Sequence, residues 1–102
     1  MKSVSIFGVT GSVGQSTTDL ILSQPDMFDV RIVTANRNVS NLILSAIKLK
    51  SKQAVIADES LYSELKNGLS GTGIEALAGR QALLDVATIP VDWTMMAIVG
   101  MA

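Results

Sequence analysis

Apolar runs and helix-period segments alternate along the chain from its first residues. Val4-Ser5-Ile6-Phe7 reads as a buried strand, and the stretch from Val13 to Ile21 as a helix with Ser16, Thr17, Leu20 and Ile21 on its inward face. Pro25 predicts the end of that helix, because proline disfavours helical geometry in the residue before it. "VRIVTA", Val30 to Ala35, is dense in β-branched residues and predicts a second strand. Ser40 is then the expected N-cap of a helix through Leu42, Ile43, Ala46 and Ile47. A third short strand is expected at Ala54 to Ala57, followed by a helix carrying Leu61, Tyr62 and Leu65, which Asp58 and Glu59 start. Gly68 and the turn Gly71-Thr72-Gly73 close that unit. Ile74 to Leu77 is a weaker strand, Gln81 to Ala87 a helix bounded by Pro90, and Trp93, Met95 and Met96 read as core residues of a last strand.

Strand and helix therefore alternate throughout, which calls for parallel strands with right-handed helical crossovers. The predicted fold class is α/β, a Rossmann-like doubly wound parallel sheet with helices on both faces. Four-residue apolar strands suit it, since central parallel strands are buried on both sides. No repeat, low-complexity tract or linker divides the chain, so residues 1–102 are read as one domain.

Composition narrows the chemistry more than the fold. Eight basic and nine acidic residues leave a net charge of −1, which gives no electrostatic footprint for nucleic acid or an anionic membrane. Cysteine and histidine are both absent, which removes thiolate chemistry and the commonest general base and metal ligand. No apolar run approaches the roughly 20 residues of a membrane span, and none precedes a cleavage site. A soluble, cytoplasmic chain with few catalytic groups is expected.

Against that background, "IFGVTGSVGQST" stands out, with Gly8, Gly11 and Gly14 at intervals of three between a strand and a helix. A helix that starts directly after a parallel strand points its unpaired N–H groups and the positive end of its dipole at the sheet's carboxyl edge, a ready pyrophosphate site. Gly8 would make the tight turn, Gly11 would admit an anion to the backbone, and Gly14 would let the helix lie close to the strand. Thr10 and Ser12 can add hydroxyl donors. The spacing G-x-x-G-x-x-G is a relative of the dinucleotide fingerprint G-x-G-x-x-G. The competing reading is a glycine-rich turn used only for packing.

The end of the second strand supplies the next clue. An acidic residue about twenty positions past such a loop commonly bonds the ribose 2′-hydroxyl of NAD. "TANRN", Thr34 to Asn38, holds no carboxylate; Arg37 stands there, and its fork suits a 2′-phosphate. Asn38 could bond the ribose or cap the next helix, and Asn36 tolerates a left-handed turn. The alternative for Arg37 is a solvated loop charge. Lys48, Lys50 and Lys52 read as a solvated face near a helix C-terminus.

"IFGVTGSVGQST", "ANRNV", "AVIADE" and "MAIVGMA" follow one another as in the amino-terminal region of 1-deoxy-D-xylulose 5-phosphate reductoisomerases, which the chain resembles from Met1 to Ala102. The Ser16-Thr17 pair and the later "AIVG" set it apart from semialdehyde dehydrogenases, which share a G-x-T-G-x-V-G loop. The resemblance implies an NADPH-binding domain of a cytoplasmic, homodimeric enzyme of non-mevalonate isoprenoid biosynthesis. It also implies a divalent metal, magnesium or manganese, and a sugar phosphate substrate that is rearranged and then reduced. By position, Thr10, Gly11, Ser12 and Val13 look like the residues around the pyrophosphate, and Asn36, Arg37 and Asn38 like the adenosine-side loop. Many members have glycine in place of Asn36. The family's metal carboxylates and substrate-phosphate ligands lie beyond the equivalent of Ala102, so the expectation is a fragment carrying cofactor recognition without chemistry. A free-standing nucleotide-binding module, or the coenzyme domain of another NADP-dependent dehydrogenase, would fit the same residues.

Overall fold

The apolar runs become strands in a computed structural model that describes residues 1–9 and 11–96, and of Ser12 and Val13 only the backbone. The strands are β1 (Lys2–Phe7), β2 (Phe28–Ala35), β3 (Gln53–Ile56), β4 (Glu75–Ala78) and β5 (Trp93–Met96). They lie in one sheet in the order β4-β3-β2-β1-β5, every neighbouring pair parallel. Helices α1 (Ser12–Ser23), α2 (Val39–Leu49), α3 (Tyr62–Gly68) and α4 (Arg80–Ala87) make the crossovers, with a 3₁₀ turn at Glu59–Leu61 leading into α3.

This strand order decides where the helices go. The first three crossovers step in one direction across the sheet and the fourth reverses, so right-handed connections place α1 to α3 on one face and α4 on the other. The buried side chains divide accordingly. Val4, Ile6, Val33, Ala54 and Ile56 pack with Ile21, Leu42, Ala46 and Leu65 on one side. Phe7, Ile32 and Val55 pack with Val86 of α4 on the other. The doubly wound α/β arrangement predicted from the sequence is the fold observed.

A bulge adjusts the register. Val4 lies opposite Val30, but Ser5 lies opposite Ile32, so Arg31 is an extra residue of β2. That insertion lets Val30 and Val33, three positions apart, enter the same core.

Three local expectations change. The buried stripe of α1 is Gly14, Thr17, Thr18 and Ile21, whereas Ser16 and Leu20 are exposed. The close seat of Gly14 on the β1 turn rotates the helix by about one residue from the face its apolar side chains suggest. The N-cap of α2 is Asn38, whose side-chain oxygen accepts from Asn41 N–H at 3.3 Å, and Ser40 already lies inside the helix. Met96 is 63% exposed, because β5 is an edge strand on which Trp93 and Met95 face the core and Thr94 and Met96 face the other way. Pro25 acts as predicted: α1 stops at Ser23, and Gln24 before the proline takes φ −136° and ψ 64°, outside the helical region. No helix among the described residues is long and apolar enough to cross a membrane.

The entry to β5 is fastened to the start of β1. Ser3 donates to Asp92 Oδ2 from its backbone N–H at 2.9 Å and from its hydroxyl at 3.2 Å, and Asp92 N–H donates to Ser3 Oγ at 2.9 Å. The backbone and hydroxyl donors of Ser3, then the Lys2 and amino-terminal charges, hold the Asp92 carboxyl below the ordinary carboxylate range. A carboxyl with a depressed folded-state pKa stabilises fully above its unfolded value of about 3.9, and that contribution disappears as pH falls through the lower folded value. Asp92→Asn is therefore expected to flatten the acid limb of a stability-versus-pH curve below about pH 4. Urea titrations from pH 6 to pH 2.5 check it; an unchanged acid limb would exclude this carboxylate as a contributor.

Candidate functional site

The carboxyl ends of β1, β2 and β3 bring three loops side by side. After β1 the chain turns at Gly8, which has φ +85°, a left-handed conformation that glycine adopts at little cost. Gly8 N–H donates to both the carbonyl and the hydroxyl of Thr34, at 3.2 and 3.1 Å, and Val9 N–H donates to the same carbonyl at 2.9 Å. Thr34 is buried near the end of β2, so the turn is fixed from the neighbouring strand. Gly11 N–H returns to Gly8 O at 3.3 Å, and Gly11 O accepts the first helical bond of α1, from Gln15 N–H at 2.9 Å. The Gln15 side chain reaches back to Val9 O at 3.2 Å.

Gly11 is the N-cap of α1, with no side-chain cap bond and no acidic residue in the first turn. The helix thus starts with its N–H groups and dipole directed to the carboxyl edge and, among the described residues, with no acidic side chain in its first turn. Gly14 sits so close beneath the turn that an ideal Cβ would lie 2.5 Å from Gly8 O and from Val9 O. The packing role read for Gly14 and the turning role read for Gly8 are both observed. Thr10 lies outside the described residues, as do the side chains of Ser12 and Val13 and the "AIVG" stretch from residue 97.

The second loop, Asn36 to Asn38, follows β2 immediately. Asn36 is not left-handed: among the described non-glycine residues only Lys50, the C-cap of α2, has positive φ. Asn36 O accepts from Asp58 N–H at 3.1 Å, which links this loop to the one after β3. Asn38 spends its side-chain oxygen on the α2 cap. The Arg37 side chain is 81% exposed, with Nε 3.9 Å from Asp58 Oδ2.

Asp58 caps the 3₁₀ helix Glu59–Leu61 and so starts a helix, as expected from the sequence: its Oδ1 accepts from Ser60 N–H at 3.0 Å and Ser60 Oγ at 2.6 Å. Those bonds, and secondarily Arg37, hold its carboxyl below the usual range. Sequence reasoning missed two residues here. One is Thr34, which anchors the β1 turn, and the other is Asp58 as a neighbour of Arg37. Parallel order gives the signal for the second, since residues just past β2 and β3 meet at one edge.

These loops sit beside the point where strand order reverses, between β1 and β5, the place where open α/β sheets take their ligands. The fit to a dinucleotide rests on the α1 N-terminus for a pyrophosphate and, one loop away, on the exposed guanidinium of Arg37, paired with Asp58 only at Nε, for a phosphate monoester. Among the described residues, no group of three or more His, Cys, Asp or Glu side chains could hold a metal ion. A cleft of about 360 Å³ opens at the opposite, amino edge of the sheet, lined in part by Ile21, Pro25, Asp26, Phe28, Asp29 and Lys48. Two helix C-termini and two carboxylates make it a poor anion site despite its lysines.

Comparison with known proteins agrees with the fold. The family model for 1-deoxy-D-xylulose 5-phosphate reductoisomerase matches residues 4–102. The enzyme of that name from Zymomonas mobilis is 48% identical over 101 residues, covering 99% of this chain and 26% of its own length. Its solved structure in complex with NADPH superposes with a TM-score of 0.94, over 97% of this chain and 26% of that one. A second reductoisomerase structure, with NADPH, fosmidomycin and magnesium, is 27% identical with a TM-score of 0.89 over 98% of this chain. The chain spans about a quarter of the length of the relatives it matches.

Proposed function

Because the chain belongs to the 1-deoxy-D-xylulose 5-phosphate reductoisomerase family, we propose that residues 1–102 form the NADPH-binding domain of such an enzyme. The parent reaction in this reading converts 1-deoxy-D-xylulose 5-phosphate to 2-C-methyl-D-erythritol 4-phosphate in non-mevalonate isoprenoid biosynthesis, with a divalent metal as second cofactor. A homodimer and a cytoplasmic setting belong to the same reading.

The observation that carries it is the fixed turn: Thr34 holds Gly8 and Val9 so that α1 presents an uncapped N-terminus beside the Asn36–Asn38 loop. In this reading Gly11, whose own N–H is bonded to Gly8 O, leaves the backbone open to the pyrophosphate, the N–H groups of Ser12 and Val13 bind it, and the Thr10 hydroxyl adds a donor. Arg37 pairs with the 2′-phosphate. Asn38, its oxygen committed to the α2 cap, keeps its amide N–H groups for the adenosine side. Asn36 shapes the loop through its carbonyl bond from Asp58. When bound, NADPH supplies the hydride for the reductive half of the reaction. The residues described here hold and orient the coenzyme.

Arg37→Ala tests the proposal. Hydrogen bonds to a charged group contribute about 1.5–3 kcal/mol, and that is the expected loss in NADPH binding, with NADH binding nearly unchanged. Calorimetric or fluorescence titration of both coenzymes measures it. Equal losses for NADPH and NADH would refute recognition of the 2′-phosphate by Arg37.

A further inference from the structure

We propose that Asp58 is a positioning residue for Arg37 and thereby contributes to discrimination between the phosphorylated and unphosphorylated coenzymes. The inference rests on the coenzyme reading above and adds to it a residue from a different loop.

Asp58 is held at both ends. Its backbone N–H is bonded to Asn36 O at 3.1 Å, inside the loop that carries Arg37. Its Oδ1 accepts two bonds from Ser60, so the carboxylate has a set orientation. The remaining oxygen, Oδ2, faces Arg37 Nε at 3.9 Å. Arginine otherwise loses considerable rotamer freedom when it grips a ligand, and this side chain is 81% exposed. A fixed carboxylate at the Nε side narrows its rotamers before the ligand arrives, and leaves the two terminal nitrogens of the fork to a phosphate monoester.

Two opposing effects follow from the Asp58 charge. It orders Arg37, which favours the phosphorylated coenzyme, and it repels a dianionic phosphate at longer range. The second effect crosses solvent, where charges farther apart are increasingly screened within a Debye length of about 8 Å. The shorter 3.9 Å ion pair with the guanidinium therefore wins.

Asp58→Asn removes both effects with little change of shape, since the amide oxygen still accepts from Ser60, and the sign of the net change shows which dominates. NADPH dissociation constants, measured by fluorescence on the 102-residue chain, should rise about two- to five-fold, the range of an exposed ion pair. NADH binding and the thermal midpoint should stay as they are. In the Arg37→Ala background the same change should no longer weaken NADPH binding, a result that a merely structural role would not produce. Ser60→Ala, which removes the hydroxyl bond to Oδ1 and keeps the backbone N–H bond, should give a smaller loss in the same direction. Unchanged or tighter NADPH binding in Asp58→Asn overturns the positioning role, as does a loss shared equally by NADH. If Arg37→Ala alone treats both coenzymes alike, the coenzyme reading fails first, and this inference falls with it.

Discussion

Gly14→Ala lowers the unfolding free energy by about 2 kcal/mol and weakens NADPH binding with it. The ideal Cβ would stand 2.5 Å from Gly8 O, 2.5 Å from Val9 O and 2.6 Å from Val9 C. All three are backbone atoms, and both N–H groups of that segment are bonded to Thr34, so no flexible side chain can swing aside. Overpacking of this kind costs typically 1–3 kcal/mol, and a rigid neighbour puts it at the upper end. Alanine's better helix propensity returns about 1 kcal/mol, which leaves the net loss near two. The remaining strain is relieved by moving α1 away from the β1 turn, and that displaces the N-terminus proposed to hold the pyrophosphate. Urea denaturation with an unchanged slope measures the first effect, and coenzyme titration the second. An alanine variant as stable as the parent would show that the helix does not rest on this turn.

The parallel α/β fold was legible because burial of the central strands leaves short, mostly apolar runs, and each crossover carries its own stop signals, such as Pro25 and Gly68. Less legible was which helical face turns inward. In α1, Leu20 looks like a core residue by type, yet it is 49% exposed while the small residues Gly14, Thr17 and Thr18 are buried. Distance of approach decides that face, and hydrophobicity alone does not report distance. Similarly, Ser40 and Asn38 are both competent caps by residue type. The choice fell to Asn38 because Val39 already belongs to the buried face of α2. At the candidate site, Gly8 and Gly14 could be assigned from spacing because their roles are local. The approach of Asp58 to Arg37 joins residues twenty-one positions apart, and only the pairing of β2 with β3 brings it about. Single-sequence periodicity has no access to that pairing.

Gly11→Val is expected to abolish NADPH binding while the fold persists, a contrast with Gly14 that follows from backbone geometry. Gly11 has φ −77° and ψ 174°, a conformation open to any residue, so the turn itself makes no demand for glycine at this position. A demand for glycine must then come from whatever approaches the start of α1. The chain loses some capping preference when valine replaces glycine at an N-cap, a cost of about 1 kcal/mol, which should leave the sheet and its two cores assembled. A pyrophosphate seated on the N–H groups of the first turn would meet the new branched side chain directly, and those hydrogen bonds would be lost together. The far-UV circular dichroism should match the parent, the urea midpoint should fall only slightly, and coenzyme titration should show at least a hundredfold weaker binding, a loss of about 2.7 kcal/mol or more. Both NADPH and NADH should be affected alike, because the pyrophosphate is common to them, and this separates the Gly11 effect from that of Arg37. Unfolding of the variant would return Gly11 to a packing role. Retained binding in a folded variant would move the pyrophosphate away from the α1 N-terminus altogether.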